Sequence, residues 1–243
     1  MELQNKRIVI IGASSGMGLA TASRFHQKGA HVVMVGRNEN KLKKAAQAIA
    51  GGDARLTLAA ADMTTAEGRH AIMQASETID HLVVTAADLK YMLVKDFTVE
   101  AAEHVVQSKL LAPLFLVQAA LPILAENGSI TFVSGIAAER PIPGGALTGA
   151  VNGGLNALVR GVAIELAPIR VNTVSPGWVE TPIWQQVMPD ETKREEAFAA
   201  MRAKIPVRRI GQPEDIAKAI ESVVTNGFMS GSTVYVDGGQ RLV

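Results

Sequence analysis

Seven apolar runs of strand length recur along this chain, and a longer stretch with helical spacing separates most of them. The runs are Arg7–Ile11, 31–35, 55–60, 81–85, 129–134, 170–175 and Thr233–Val236. They are nearly continuous in Val, Ile and Leu, the pattern of parallel strands covered on both faces. Helical spacing falls at about 16–28, 39–50, 64–77, 98–126, 146–167 and 213–226, with Gly29 where the first helix should stop. This alternation predicts an α/β fold: a doubly wound parallel sheet of the Rossmann type, seven strands with helices on both faces.

Nothing resembling a repeat, a low-complexity tract or a long linker divides the sequence, so residues 1–243 read as one domain. The segment 178–206 breaks the rhythm with a short charged helix, about 190–203, between Pro189 and Pro206. An insertion there is expected to act as a lid over a ligand crevice; the plainer reading is an exposed helical loop.

Composition removes several classes of function. With 48% hydrophobic and 19% charged residues the chain is globular. A net charge of +1, from 24 basic and 23 acidic side chains, provides no field for nucleic acid or an anionic membrane. The absence of cysteine rules out disulfides and thiolate chemistry and fits a reducing compartment, so a cytoplasmic location is expected. Residues 1–7 are polar, and no signal peptide is expected. The most apolar stretch, 110–124, contains Pro113 and Pro122 and is shorter than the roughly 20 residues needed to span a bilayer, so it reads as a buried helix. His26, His31, His70, His81 and His104 are scattered without ligand spacing, and no metal site is expected.

The first strand runs into Gly12-Ala13-Ser14-Ser15-Gly16-Met17-Gly18 and then directly into a helix. Gly12 permits the tight turn, Gly16 lets backbone approach a pyrophosphate, and Gly18 lets the helix pack on the sheet. The helix then presents its first N–H groups and its dipole to the phosphates. The second strand ends at Gly36-Arg37, where an acidic residue would instead hold the ribose 2′-hydroxyl of NAD(H). A guanidinium can grip a 2′-phosphate with two hydrogen bonds, so the cofactor expected is NADP(H). Lys41 lies nearby, whereas Lys43 and Lys44 read as a solvated helix face.

The spacing Gly-x-x-x-Gly-x-Gly resembles that of the short-chain dehydrogenase/reductase family, and the resemblance extends over essentially the whole chain. Further matching segments are Asp62-Met63, Arg170-Val171-Asn172, the stretch from Ser175 through Pro182, the stretch from Arg209 through Ala217, and Val236-Asp237-Gly238-Gly239. The resemblance implies hydride transfer between a nicotinamide cofactor and a small carbonyl or alcohol. It assigns Asp62 and Met63 to the adenine, counts Ala86 among the cofactor contacts, and puts Pro176, Gly177, Val179 and Thr181 at the nicotinamide side, with Thr181 at the carboxamide. It also implies dimers or tetramers built on the helices near 98–126 and 146–167, whose apolar residues exceed one face.

The part of the family pattern that performs the chemistry departs from that frame. In an ungapped register Thr148 stands at the family's catalytic tyrosine and Asn152 at its lysine. Gly135 stands at its serine, with Ser134 one residue away, and Lys109 at its asparagine. The usual Asn-Ala-Gly after the fourth strand reads Ala86-Ala87-Asp88. A literal Tyr-x-x-x-Lys does occur, Tyr91 to Lys95, but in a loop where nothing resembles the catalytic helix; Tyr91 reads mainly as a pocket wall. Threonine has a hydroxyl but no titration near neutral pH, so it can orient a carbonyl without acting as an activated acid. One expectation places Lys109 near the nicotinamide ribose or the substrate oxygen, acting with Ser134, Thr148 and Asn152; the other lets it snorkel to solvent or to a neighbouring subunit. Met17, Trp178, Trp184 and Met188 are candidate pocket walls. Two readings stay open: an NADP(H)-dependent oxidoreductase with an atypical proton-transfer site, or an NADP(H)-binding protein without redox catalysis.

Overall fold

The computed structural model of the chain describes residues 2–50, 52–86 and 88–243. One parallel sheet organises it, in the order β3-β2-β1-β4-β5-β6-β7. The strands are β1 (Arg7–Ile11), β2 (His31–Gly36), β3 (Leu56–Ala60), β4 (Ile79–Val84), β5 (Leu124–Val133), β6 (Arg170–Pro176) and β7 (Thr233–Val236). Winding reverses between β1 and β4, and at such a switch point a crevice opens beyond the carboxyl ends of the strands.

Side chains alternate across the strands, and this splits the core into two layers. Val9, Ile11, Val33, Val35, Leu82, Val84 and Phe132 face one layer. Helices α3 (Ala66–Ser76), α5 (Ala112–Ala120) and α6 (Ala146–Glu165) close it with Ile72, Leu116, Val117, Leu155 and Val159. Ile8, Ile10, Val32, Met34, Val83 and Val174 face the other. There α1 (Gly16–Gln27), α2 (Glu39–Ala50) and α9 (Pro213–Thr225) supply Phe25, Leu42, Ile216 and Ile220. Because both faces are covered, the strands need continuous apolar runs, and that is why the sequence shows them.

The helical stretch expected at 98–126 is broken. It comprises α4 (Val99–Val106), a wide π-helical turn (Gln107–Leu111), α5 and a last 3-10 turn (Leu121–Ile123). Taken together, Val99–Ile123 is 25 residues, long and apolar enough by length and composition to cross a membrane. The shorter span expected at 110–124 therefore understated it. Its buried side chains, Ala112, Leu116, Val117 and Ala120, pack into the first core layer, so it is a core helix of the sheet.

Beyond β6 the chain forms α7 (Ile183–Val187) and α8 (Glu191–Lys204). Asp190 caps α8 by accepting from the Lys193 N–H at 3.1 Å. Trp178, Trp184 and Phe198 pack together beneath this segment, with ring centroids 4.3 to 5.9 Å apart. Two of the segments that matched the family pattern have a structural job. Arg170 donates from its two terminal nitrogens to the carbonyls of Val223, Val224 and Met229, at 3.0, 2.6 and 3.1 Å, and so closes the end of α9. Arg209 grips Asp215 at 2.6 and 3.0 Å, and Asp215 in turn accepts the Gln212 N–H at 2.9 Å at the start of α9.

Candidate active site

The turn between β1 and α1 is shaped by contacts that only glycine permits. Gly12 and Gly16 have φ of +90° and +53°. A Cβ on Gly12 would lie 2.7 Å from Thr85 Oγ1, and one on Gly18 would lie 2.2 Å from the Gly12 carbonyl oxygen. A Cβ on Gly16 would lie 3.3 Å from the Thr181 side chain, so the turn and Thr181 face each other across the crevice. Ser15 precedes α1 without a side-chain cap, and the first turn of α1 holds no acidic residue. In contrast, Thr65 caps α3 and Thr98 caps α4. The N–H groups and positive dipole end of α1 are thus left to an anion, and the residues present fit a dinucleotide pyrophosphate.

At the adenosine side, Ser14 lies under the end of β2, its Oγ 3.5 Å from where a Cβ on Gly36 would stand. Arg37 points across the crevice mouth to Asp88, donating at 2.7 and 3.2 Å. Burial pushes the Asp88 carboxyl up, but the bond and charge of Arg37, helped by His104, hold it below its ordinary value. Asp62 accepts from the Thr64 N–H and hydroxyl at 2.9 and 2.7 Å, which shapes the turn into α3. Met63 is buried in the first core layer and its carbonyl accepts from Arg69 at 2.9 Å. Ala86 lies against the phosphate turn, its N–H nitrogen 2.9 Å from where a Gly12 Cβ would be. Ala87 lies outside the described residues.

At the nicotinamide side, the chain leaving β6 is clamped from two directions. The Gly177 N–H donates to the Val236 carbonyl at 3.0 Å, and a Gly177 Cβ would sit 2.8 Å from both Asp237 Cα and Gln240 Oε1. The Trp178 N–H donates to Gln240 Oε1 at 2.9 Å, while Gly211 bonds with both Trp178 and Glu180. These clamps set Pro176, Gly177, Val179 and Thr181 along a cleft that is open to solvent. Met17, Trp178 and Trp184 line it as expected from the sequence, and so does Tyr91; Met188 is not among its walls, which Val187 and Ile183 complete instead. Leu89, Ile142 and Arg140 line it too, with no signal in the sequence that marks them as walls. Arg140 Nε donates to the Arg241 carbonyl at 2.9 Å.

Only part of the expected catalytic set reaches this cleft. Ser134 and Asn152 line it together with Gly135. The Ser134 hydroxyl and the Asn152 Oδ1 are buried without a protein hydrogen-bond partner among the described residues. A Cβ on Gly135 would be 2.9 Å from Asn152 Nδ2, so the glycine makes room for the amide. Thr148 is fully buried and donates its hydroxyl to the Lys90 carbonyl at 3.1 Å. It holds down the loop that carries Tyr91 rather than facing the cleft.

Of the two expectations for Lys109, the structure overturns the second. The residue sits in the π-helical turn and is 3% exposed, so it does not snorkel. Its ammonium donates to the Val133 and Ser134 carbonyls at 2.7 and 3.4 Å, and Ser134 lines the cleft where Lys109 itself does not. Burial pulls its pKa down from 10.5 to about 8. Lys109 thus braces the backbone that presents Ser134. Burial also pushes the Tyr91 phenol up, keeping it protonated at neutral pH.

Sequence and structure comparisons identify the family that shares this fold. A family profile described as "Enoyl-(Acyl carrier protein) reductase" matches residues 12–241. The "Short-chain dehydrogenase/reductase malC" of Malbranchea aurantiaca is 32% identical over 99% of this chain and 96% of its own. The chain belongs to the short-chain dehydrogenase/reductase family. The human "Dehydrogenase/reductase SDR family member 4" is 31% identical over 98% of this chain and 88% of its own. The solved "MalC Reductase/Diels-Alderase" superposes with a TM-score of 0.91 at 30% identity, covering 99% of this chain and 98% of that one. The family's members bind nicotinamide cofactors and act on small molecules, which supports an oxidoreductase assignment at that level.

Proposed function

We propose that the chain is an NADP(H)-dependent oxidoreductase acting on a small, largely apolar carbonyl or alcohol, with a proton-transfer site unlike the family's usual one. The observation that carries this reading is the uncapped, acid-free start of α1 facing Thr181 across a cleft that also holds Ser134 and Asn152. When bound, the dinucleotide supplies or takes up the hydride. The first turn of α1, with Gly12, Gly16, Met17 and Gly18, holds its pyrophosphate, and Ser14 and Arg37 recognise the 2′-phosphate. Asp62, Met63 and Ala86 flank the adenosine. Pro176, Gly177, Val179 and Thr181 orient the nicotinamide, and Thr181 meets the carboxamide.

The Ser134 hydroxyl donates to a substrate carbonyl oxygen and Asn152 Oδ1 accepts from a substrate hydroxyl, since both buried atoms have partners to gain. Thr148 and Lys109 act at one remove: Thr148 by fixing the Lys90–Tyr91 loop, Lys109 by fixing the carbonyls at 133 and 134. The segment 178–206 serves as the lid, with Trp178 and Trp184 against the substrate. Cysteine-free composition supports a cytoplasmic location. Exposed Leu111, Phe115 and Leu121 on the long helix and Ile164 on α6 support a homo-oligomer, dimer or tetramer.

Fluorescence titration with NADPH, followed by NADPH oxidation over a carbonyl panel, tests the proposal. Binding with turnover supports it; no binding at millimolar dinucleotide refutes it. A second reading, dinucleotide binding without redox turnover, is favoured by one observation: Thr148 spends its hydroxyl on Lys90 and leaves the cleft without the family's acid. The fungal relative described as a reductase/Diels-Alderase supports a non-redox rearrangement as one form of that reading. Binding without turnover over the whole panel selects it.

A further inference from the structure

The guanidinium that should recognise a 2′-phosphate is already held by a carboxylate. We infer that Asp88 is a tethered competitor for that phosphate and sets how strongly the chain prefers NADP(H) over NAD(H). The inference rests on the dinucleotide reading above and deepens it.

Asp88 takes two terminal nitrogens of Arg37, at 2.7 and 3.2 Å. A phosphate would use this same two-point grip. The carboxylate is aimed by a fixed loop. Ser108 Oγ accepts the Asp88 N–H at 3.3 Å and donates to the Asp88 carbonyl at 3.1 Å, so the main chain stays in place if the side chain changes. His104 Nε2 lies 3.4 Å from the same carboxylate, and Asp62 also acts on Arg37 electrostatically. A 2′-phosphate entering here has to displace Asp88 and then remain beside the freed negative charge. A ribose 2′-hydroxyl meets no such opposition, because it can donate to a carboxylate. One residue therefore penalises the phosphorylated coenzyme and accommodates the other. It lies 51 positions from its partner, on the loop after β4 rather than at the end of β2.

Titration of wild type, Asp88→Asn, Arg37→Gln and the double variant with NADPH and with NADH, read by fluorescence, tests this. Thermal melts establish that each variant is folded, and Asp88→Ala serves as an independent removal of the charge. Asp88→Asn is expected to tighten NADPH about three- to tenfold and to leave NADH unchanged or weaker. Arg37→Gln is expected to weaken NADPH and to cancel most of the gain from Asp88→Asn, since the two side chains act through one contact. An NADPH affinity that stays within about twofold of wild type in both Asp88 variants overturns the inference. So does an equal gain for both coenzymes, or a gain that persists without Arg37. If wild type binds both dinucleotides and their ratio does not move, only this inference fails. If wild type binds neither, the reading under Proposed function fails and takes this one with it.

Discussion

The two ends of the cleft are built differently. At the phosphate end the determinants are backbone: positive φ, missing Cβ atoms and uncapped N–H groups, each enforced by a close neighbour. At the reacting end the determinants are side chains whose partners come from distant loops, such as Thr148 with Lys90 and Lys109 with Val133. A backbone site tolerates no substitution at its glycines. A side-chain site can exchange its polar groups and still fold, because other groups fill the space, as Gly135 and the Asn152 amide fit each other here.

The contrast can be broken by experiment, and the largest effect should come from the phosphate end. Gly18→Ala places a Cβ 2.2 Å from the Gly12 carbonyl oxygen. We expect NADPH affinity to fall at least about 100-fold, the upper range of overpacking costs; a titration matching wild type would show that the turn does not need its glycine. Next in size is Lys109. Its pKa falls from 10.5 unfolded to about 8 folded, so the unfolded chain binds more protons between those values and stability rises with pH across that window. Relative to Lys109→Met, wild type should gain on the order of 3 kcal/mol from pH 8 to 10.5, read from urea melts. Parallel curves for the two proteins would mean that Lys109 is not buried as a cation.

Restoring the family pair, Thr148→Tyr with Asn152→Lys, is expected to cost about 1–3 kcal/mol of stability and to bring no gain in turnover. Thr148 is fully buried against the Lys90 carbonyl, so a larger side chain has to push that loop aside, and Asn152 is fitted to Gly135. A rise in kcat of about 100-fold or more would show that only the proton donor is missing and that the loop yields. The smallest effect belongs to Ser134→Ala. Turnover should drop about tenfold, with NADPH affinity unchanged, for loss of one oriented hydroxyl; equal loss in both would place Ser134 in coenzyme binding instead.

Central strands were legible because a strand covered on both faces writes itself as an apolar run, and β1 has the bounds read from the sequence; so does β7, an edge strand that is only half-buried. The break in the long helix was not, since Lys109 gives no sign in sequence that it turns inward to two carbonyls. Helix α7 was missed because five residues are too few to establish a period. Glycines of the phosphate turn were legible because only glycine adopts such conformations at such distances. The reacting end was less so. Thr148 and Lys90 are 58 residues apart and Arg37 and Asp88 are 51, and in neither case does the partner's residue type announce the contact. Arg170 and Arg209 matched the family pattern without any hint that they serve the ends of α9.

The wide turn at Gln107–Leu111 means that the long helix is two registers laid end to end. Ahead of it the inward stripe buries Val105; behind it a separate stripe of Ala112, Leu116, Val117 and Ala120 beds into the sheet. A substitution that drew the wide turn back into a regular α-helix would rotate one stripe against the other, so both cannot stay buried unless the turn is kept.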